Sequence, residues 1–450
     1  MKMSDLDSPS VGKKHSKLLI PIVRTTRSFY PFVGVLLLLM FWGAYAYAFQ
    51  LRNGLAVTGL NNSVFWGVYI VNFVFFIGVA HVGALVSAIL RLMKVPWSKP
   101  VTRMAEVVTL AALPVAALMP LIDLGRVDRL HFVFLFGRLQ SPIVWDFIAI
   151  STYVVGSMLF LYIPLIPDIK VVRESPLMKS RVKKLLYRIL SAGWKGSAGQ
   201  WTRLRKGIFA LAVIILPIVF MVHTVVSYIF AMQLVPGWNS SIFGPYFVLG
   251  AVMSGVATLI IVMWFARRLY HWEDYLQNVH FKGLAIMLLV MVLGYMYFTM
   301  NDYVGVAYLG ELAERGLLST IFLQEYSPWF ALQLVLLLAA SMILILPRTR
   351  TINGTFVAAM MVFVSAWVKR FVIIVPPLLN PRIPRELVIY TPSWAEWAIT
   401  FGAFASFILI LTVFAKLFPI VSIWEVEEGE REAEKERPSV PQPLMGGPRE

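Results

Sequence analysis

Asp123 and Asp146 carry the most specific chemistry in this chain. Asp123 lies in Pro120-Leu121-Ile122-Asp123-Leu124-Gly125-Arg126, and Asp146 in Ser141-Pro142-Ile143-Val144-Trp145-Asp146. Arg126 and Arg129 can offset the two charges, and Trp145 can wall a flat ring. A quinol releases two hydroxyl protons and needs an acceptor for each beside a mostly apolar pocket. Asp123, Asp146, Arg126 and Trp145 meet that need as a quinol-binding set. The same residues would serve equally as an interfacial salt-bridge cluster.

A second set could move protons. His81 sits in Ile77-Gly78-Val79-Ala80-His81-Val82-Gly83, and His223 lies within another apolar run. Each ring either bonds a neighbouring helix or relays protons, because imidazole titrates near neutral pH. Asp168, in Leu165-Ile166-Pro167-Asp168, lies with Glu273, Asp274 and His280 near the opposite ends of the apolar runs. Together with Asp302, the residues His81, His223, Asp168 and Asp274 make up a candidate proton path. Plain interfacial anchoring is the alternative for the carboxylates. Two facing histidines could also ligate a haem. With His15, His131, His271 and His280 in the tail or loops, at most one haem is possible, and no helix spaces two histidines suitably. Lys369 and Arg370, inside a later apolar run, are expected to pair with Asp302 or Glu311 or to snorkel outward. The absence of cysteine excludes a cysteine-ligated iron–sulfur cluster and thiol redox chemistry in this chain. Nor does the sequence offer a metal-ligand cluster, a phosphate-cradling glycine loop or a nucleophile–base pair.

The elements that position these residues are membrane spans. The chain is 59% hydrophobic with a mean hydropathy of +0.74, well above the roughly 45–50% apolar content of soluble domains. Ten apolar runs reach the roughly 20 residues a span needs: 31–51, 64–90, 102–122, 142–166, 208–234, 243–266, 281–300, 328–346, 353–377 and 395–418. The expected class is therefore an all-α integral membrane protein. Lys and Arg crowd the 168–206 stretch, the N-terminal tail and the 91–103 loop, while the 52–63 and 235–242 loops are nearly free of them. That alternation puts both termini of this multi-pass chain in the cytoplasm, and a bacterial inner membrane is the expected location. It also accounts for the net charge of +16 without a nucleic-acid partner. The first 28 or so residues lack a signal-peptide pattern.

A weak internal repeat organises the spans. Trp66-Gly67-Val68-Tyr69 and Phe243-Gly244-Pro245-Tyr246 open the second and sixth, Asp123 and Asp302 end the third and seventh, and Ser141-Pro142 and Ser327-Pro328 open the fourth and eighth. Two four-helix bundles follow, spans 2–5 and 6–9, flanked by spans 1 and 10, with a pseudo-axis along the membrane normal. The segments are a basic tail (1–29), the first span (30–60), the first bundle (61–235), the second bundle (236–380), the last span (381–424) and a charged, Pro-rich tail expected to be disordered (425–450).

The chain resembles the NrfD/polysulfide-reductase membrane-subunit family and is most like the ActC and ActF subunits of alternative complex III. The resemblance covers about residues 30–420. It rests on Trp66-Gly67, Asn72-Phe73-Val74, Gly78-Val79-Ala80-His81-Val82-Gly83, Arg103-Met104-Ala105-Glu106, Leu124-Gly125-Arg126, Ser141-Pro142, Trp145-Asp146 and Leu165-Ile166-Pro167-Asp168. Pro236-Gly237-Trp238, Glu273-Asp274-Tyr275 and Arg370-Phe371-Val372 extend it. It implies ten spans in two bundles without haem, and a menaquinol pocket close to a periplasmic iron–sulfur subunit. The other implied partners are a second NrfD-like membrane subunit and cytochrome c subunits, which hold the iron–sulfur clusters and haems. Quinol-binding members resembling this chain carry a histidine before Leu-Gly-Arg, where this sequence has Asp123, and the 127–140 loop is short. The expected function is a membrane subunit of a quinol-oxidising respiratory complex, supplying a menaquinol pocket, a proton path or both. A secondary transporter and a scaffold without a quinol site are the alternatives.

Overall fold

Inside a bilayer a backbone must close its own hydrogen bonds, so each long apolar run folds as a helix. The computed structural model describes residues 16–23, 25–93, 95–176, 180–383 and 388–436. Among them are ten helices long and apolar enough to cross a membrane: α1 Phe29–Asn53, α2 Val68–Leu92, α3 Lys99–Asp123, α4 Pro142–Glu174, α5 Ala198–Ala231, α6 Phe243–Tyr270, α7 Asn278–Leu309, α8 Ser327–Ile345, α9 Ile352–Leu378 and α10 Trp394–Leu417. All ten expected spans are present. The fifth begins earlier than expected, because Ser197 and Gln200 form a capping box ahead of the apolar run. The seventh continues past Asp302 to Leu309, so Asp302 does not end it.

The helices pack as two rings. In the first, α2 meets α3 and α5, and α4 meets α3 and α5; in the second, α6 meets α7 and α9, and α8 meets α7 and α9. The contacts between rings also come in matched form: α2 against α6, α5 against α6, and α9 against α2. This is the pattern a two-fold pseudo-axis along the membrane normal produces. Helix α2 is the hub, with 94% of its most apolar window buried, against 17% for α1. α1 pairs with α10 beside the rings.

Small residues set the spacing at the hub. A Cβ added to Gly83 would fall on Thr109 Oγ1 and lie 2.5 Å from the Ala105 carbonyl oxygen, so glycine lets α2 and α3 approach closely. Gly78 of α2 faces Ala251 and Ser254 of α6, and Gly255 of α6 faces Val79 and Val82 of α2.

Both ends of the described chain reach the Lys/Arg-rich face. Lys17 pairs with Asp274 in the loop after α6 at 2.8 Å. Residues 425–436, expected to be disordered, belong instead to a helix, α11 (Ile423–Glu436), docked on the first bundle. Fixed partners offset its conformational entropy: Arg91 reaches Glu425 at 2.7 Å, and Arg205 reaches Glu428 at 2.7 Å. The expected disorder of 437–450, and the tail up to residue 15, fall outside the described residues.

Candidate functional site

Asp123 and Asp146 stand at the same end of the adjacent helices α3 and α4. Each is half-buried, and each has an Oδ1 that is buried without a hydrogen-bond partner. Around Asp123 lies a polar network. Gln50 of α1 donates to the Ile122 carbonyl at 2.9 Å, and the Tyr69 hydroxyl of α2 donates to Gln50 at 2.6 Å. Glu396 of α10 is fully buried and accepts from the Tyr390 hydroxyl at 2.6 Å, the Gly59 N–H at 2.7 Å and the Ser393 N–H at 2.8 Å. Burial and the neighbouring Glu396 carboxylate push the Tyr390 phenol, which sits in the loop before α10, far above its ordinary range.

Two expected members of the set are placed otherwise. Arg126 donates to both oxygens of Asp128 at 2.9 Å, holding that carboxyl below its usual range, and so is not directed at Asp123 or Asp146. The two residues are neighbours in one turn, and that short reach costs the arginine less side-chain entropy. Trp145 is 48% exposed, and its indole N–H donates to the Leu139 carbonyl at 2.6 Å.

At mid-depth in the first bundle, His81 and His223 stack edge to face with centroids 4.1 Å apart, and the Tyr153 ring lies 5.3 Å from His81. The His81 Nδ1 is 2.6 Å from the Ile77 carbonyl and its Nε2 is 3.2 Å from the Val219 carbonyl. Only an imidazolium can donate to both at once. Neither nitrogen of His223 has a partner. The Tyr153 hydroxyl donates to the Ala80 carbonyl at 2.6 Å.

Toward the basic face the polar groups continue. Glu106 accepts from Ser87 at 2.6 Å and pairs with Arg91 at 2.9 Å, while its Oε2 is buried without a partner. Asp168 is fully buried and paired with Arg103. It also accepts from the Ser422 hydroxyl at 3.3 Å and from the N–H groups of Ile423 and Trp424 at 3.2 and 3.1 Å. Those are first-turn donors of α11 with no intrahelical acceptor, so Asp168 caps that helix. Asp274 lies on the exposed surface with Lys17, whose ammonium is raised above its usual range by the bond to that carboxylate.

The second bundle holds a smaller cluster. Lys369 and Arg370 are both buried rather than snorkelling. Lys369 donates to the Tyr303 hydroxyl at 2.8 Å and sits over that ring, 4.7 Å from its centroid. Arg370 bonds the Ala366 carbonyl at 3.4 Å. Glu311 pairs with Arg382 at 3.1 Å instead of reaching either one. Asp302 and Lys369 share a cleft of about 30 Å³ with Gly237, Phe243, Tyr303 and Pro377. It has room for a water.

The chain matches the family described as "Polysulphide reductase, NrfD" over residues 56–381, the larger part of its length. It belongs to that family. It is 33% identical over 237 residues to a putative dimethyl sulfoxide reductase membrane subunit of Halobacterium salinarum, a match covering 52% of this chain and 51% of that relative. The chain thus spans about half the length of that curated relative. It is 24% identical over 411 residues to the Hdr-like menaquinol oxidoreductase integral membrane subunit of Archaeoglobus fulgidus, covering 85% of this chain and 91% of the relative. A selenate reductase subunit of Mesobacillus selenatarsenatis is 21% identical over 430 residues, covering 88% of this chain and 93% of the relative. The family level of the sequence-based expectation is thereby established. These relatives are subunits of reductases and oxidoreductases and do not single out ActC or ActF.

Within this family member, several site residues escaped sequence reasoning. Gln50, Tyr69, Tyr390 and Glu396 converge from α1, α2, the loop before α10 and α10 itself. Ser393 and Glu396 read locally as a capping box, which gives no hint that Glu396 is buried. Glu106 could have been found, because it is an ionisable residue inside an expected span. Among the described residues no group of three or more His, Asp or Glu side chains is placed to hold a metal ion.

Proposed function

We propose that this chain is the membrane subunit of a quinol-oxidising respiratory complex and takes menaquinol at the outer end of the first bundle, between Asp123 and Asp146. The observation that carries this is the pair of buried, unpartnered Oδ1 atoms on adjacent helices. A buried carboxylate oxygen without a donor is costly, and a quinol hydroxyl supplies the missing donor. Oxidation of one quinol gives one quinone, two protons and two electrons. Asp123 and Asp146 each accept one proton, and Tyr69, Gln50 and Glu396 fix the wall behind Asp123. A periplasmic iron–sulfur subunit would take up the electrons. The finer placement is an alternative complex III-like assembly with a second NrfD-like membrane subunit and cytochrome c subunits, in a bacterial inner membrane with both termini cytoplasmic. The names of the relatives, a menaquinol oxidoreductase subunit among them, support the quinol-oxidising reading, and the alternative complex III placement rests on the sequence resemblance.

A proton route through the same bundle is the second part of the proposal. Its unpartnered buried atoms include Asp146 Oδ1, both His223 nitrogens, Ser157 Oγ and Glu106 Oε2. Buried polar atoms without protein partners call for ordered water, and water between titratable groups passes protons. His81 and His223 are the relay at mid-depth. Asp168 serves α11, Asp274 an exposed ion pair, and Asp302 the separate cleft of the second bundle. The spans are continuous helices, without the broken mid-membrane segments that form many transporter sites, which weighs against a transporter.

The test uses the intact complex reconstituted with menaquinol. Asp146→Asn and Asp123→Asn should each lower turnover at least tenfold with assembly retained. His81→Phe should slow proton movement while quinol affinity is kept. Full turnover in both carboxylate variants would leave the scaffold reading standing.

A further inference from the structure

The helix Arg181–Leu190, between α4 and α5, divides into three sectors around its axis. Successive residues turn by about 100°. Val182, Leu185, Leu186 and Ile189 therefore share one side, and they are 78%, 57%, 38% and 68% exposed. Lys183, Tyr187 and Leu190 share a second side, which packs on the protein. The fully buried Tyr187 donates to the Leu417 carbonyl at 2.6 Å, and Lys183 donates to the Lys416 carbonyl at 3.3 Å. Arg181, Lys184 and Arg188 share the third side and are all exposed. The helix contains no acidic residue.

These anchors hold the helix against the end of α10, at the boundary where that span leaves the apolar layer. Four apolar side chains facing water there would be unfavourable. A row of three cations beside them matches the headgroup layer above an acyl phase.

We propose that Arg181–Leu190 lies in the plane of the basic-side leaflet and binds anionic phospholipid headgroups through Arg181, Lys184 and Arg188. The apolar stripe enters the acyl boundary, and the Tyr187 and Lys183 bonds fix the helix so that the cations meet the phosphates. Each cation near an anionic surface favours association by about fivefold. This proposal does not depend on the quinol site.

The chain has no cysteine, so Ile189→Cys provides a single attachment point for a fluorophore in the full chain. The labelled protein is placed in phosphatidylcholine vesicles holding a minor fraction of doxyl-labelled phosphatidylglycerol or, in parallel, doxyl-labelled phosphatidylcholine. The expected result is severalfold stronger quenching by the phosphatidylglycerol probe. That preference should vanish in Arg181→Gln/Lys184→Gln/Arg188→Gln and survive in the charge-keeping Arg181→Lys/Arg188→Lys. Equal quenching by both probes in the starting chain would overturn the proposal, showing lipid contact without headgroup choice. Absence of quenching by either would also overturn it, placing the stripe away from the acyl layer.

Discussion

Replacing Asp168 with alanine separates a latch from a proton-path residue. The native carboxylate is fully buried, paired with Arg103, and bonded to the Ser422 hydroxyl and the Ile423 and Trp424 N–H groups. Its loss leaves the Arg103 guanidinium buried without a counter-charge, at a cost of about 3–5 kcal/mol. It also removes the cap of α11, at about 1 kcal/mol. Arg91 still holds Glu425 at 2.7 Å, so α11 should loosen rather than detach. If only about 1.4 kcal/mol of the total falls on the docking of α11, its open population rises about tenfold. Val426, half-buried against the core, reports that opening as Val426→Cys in a chain otherwise free of cysteine. Maleimide labelling in Asp168→Ala should run at least ten times faster than in the reporter chain alone, with a lower Tm for the complex. Quinol oxidation per folded complex should hold. Unchanged labelling together with collapsed turnover would refute the latch and return Asp168 to the proton path.

The other expectations are briefer. Glu396→Ala removes three hydrogen bonds to a buried carboxylate and should cost about 3 kcal/mol or more, read as a fall in Tm with weaker menaquinol retention. Gly83→Val places side-chain atoms against the Ala105 carbonyl and Glu106 Cα. It should destabilise the α2–α3 contact by about 1–3 kcal/mol or more, seen as poor assembly in detergent gel filtration. Asp274→Asn breaks only an exposed pair, so turnover and Tm should both match the native complex. A marked loss of proton-coupled turnover there would restore Asp274 to the conducting route.

Asp123 and Asp146 stood out in the sequence as candidates because a charged residue at the end of an apolar run is conspicuous on its own. The role of Asp168 was not. Its partners Arg103 and Ser422 come from α3 and from the segment after α10, and nothing local signals that meeting. Arg126 misled for the opposite reason: proximity in sequence to Asp123 suggested a pairing, but Asp128 is nearer still and accepts from its Nε and Nη2. Lys369 was expected to pair with Asp302 or Glu311 or to reach outward, and it shares its cleft with Asp302. The Tyr303 hydroxyl and ring face hold it inside, since a cation over an aromatic ring regains part of its lost solvation.

What the sequence alone determined is the number of spans, their order and their grouping in two bundles. Span formation depends on the apolar content of contiguous residues and on the internal closure of backbone hydrogen bonds, both local properties. What only the tertiary structure decided is which polar groups meet: His81 with His223, Asp168 with α11, and Glu396 with Tyr390. Those encounters join separate helices and loops. They depend on helix rotation and on close approaches such as Gly83 against α3, which a single sequence does not encode in any local pattern.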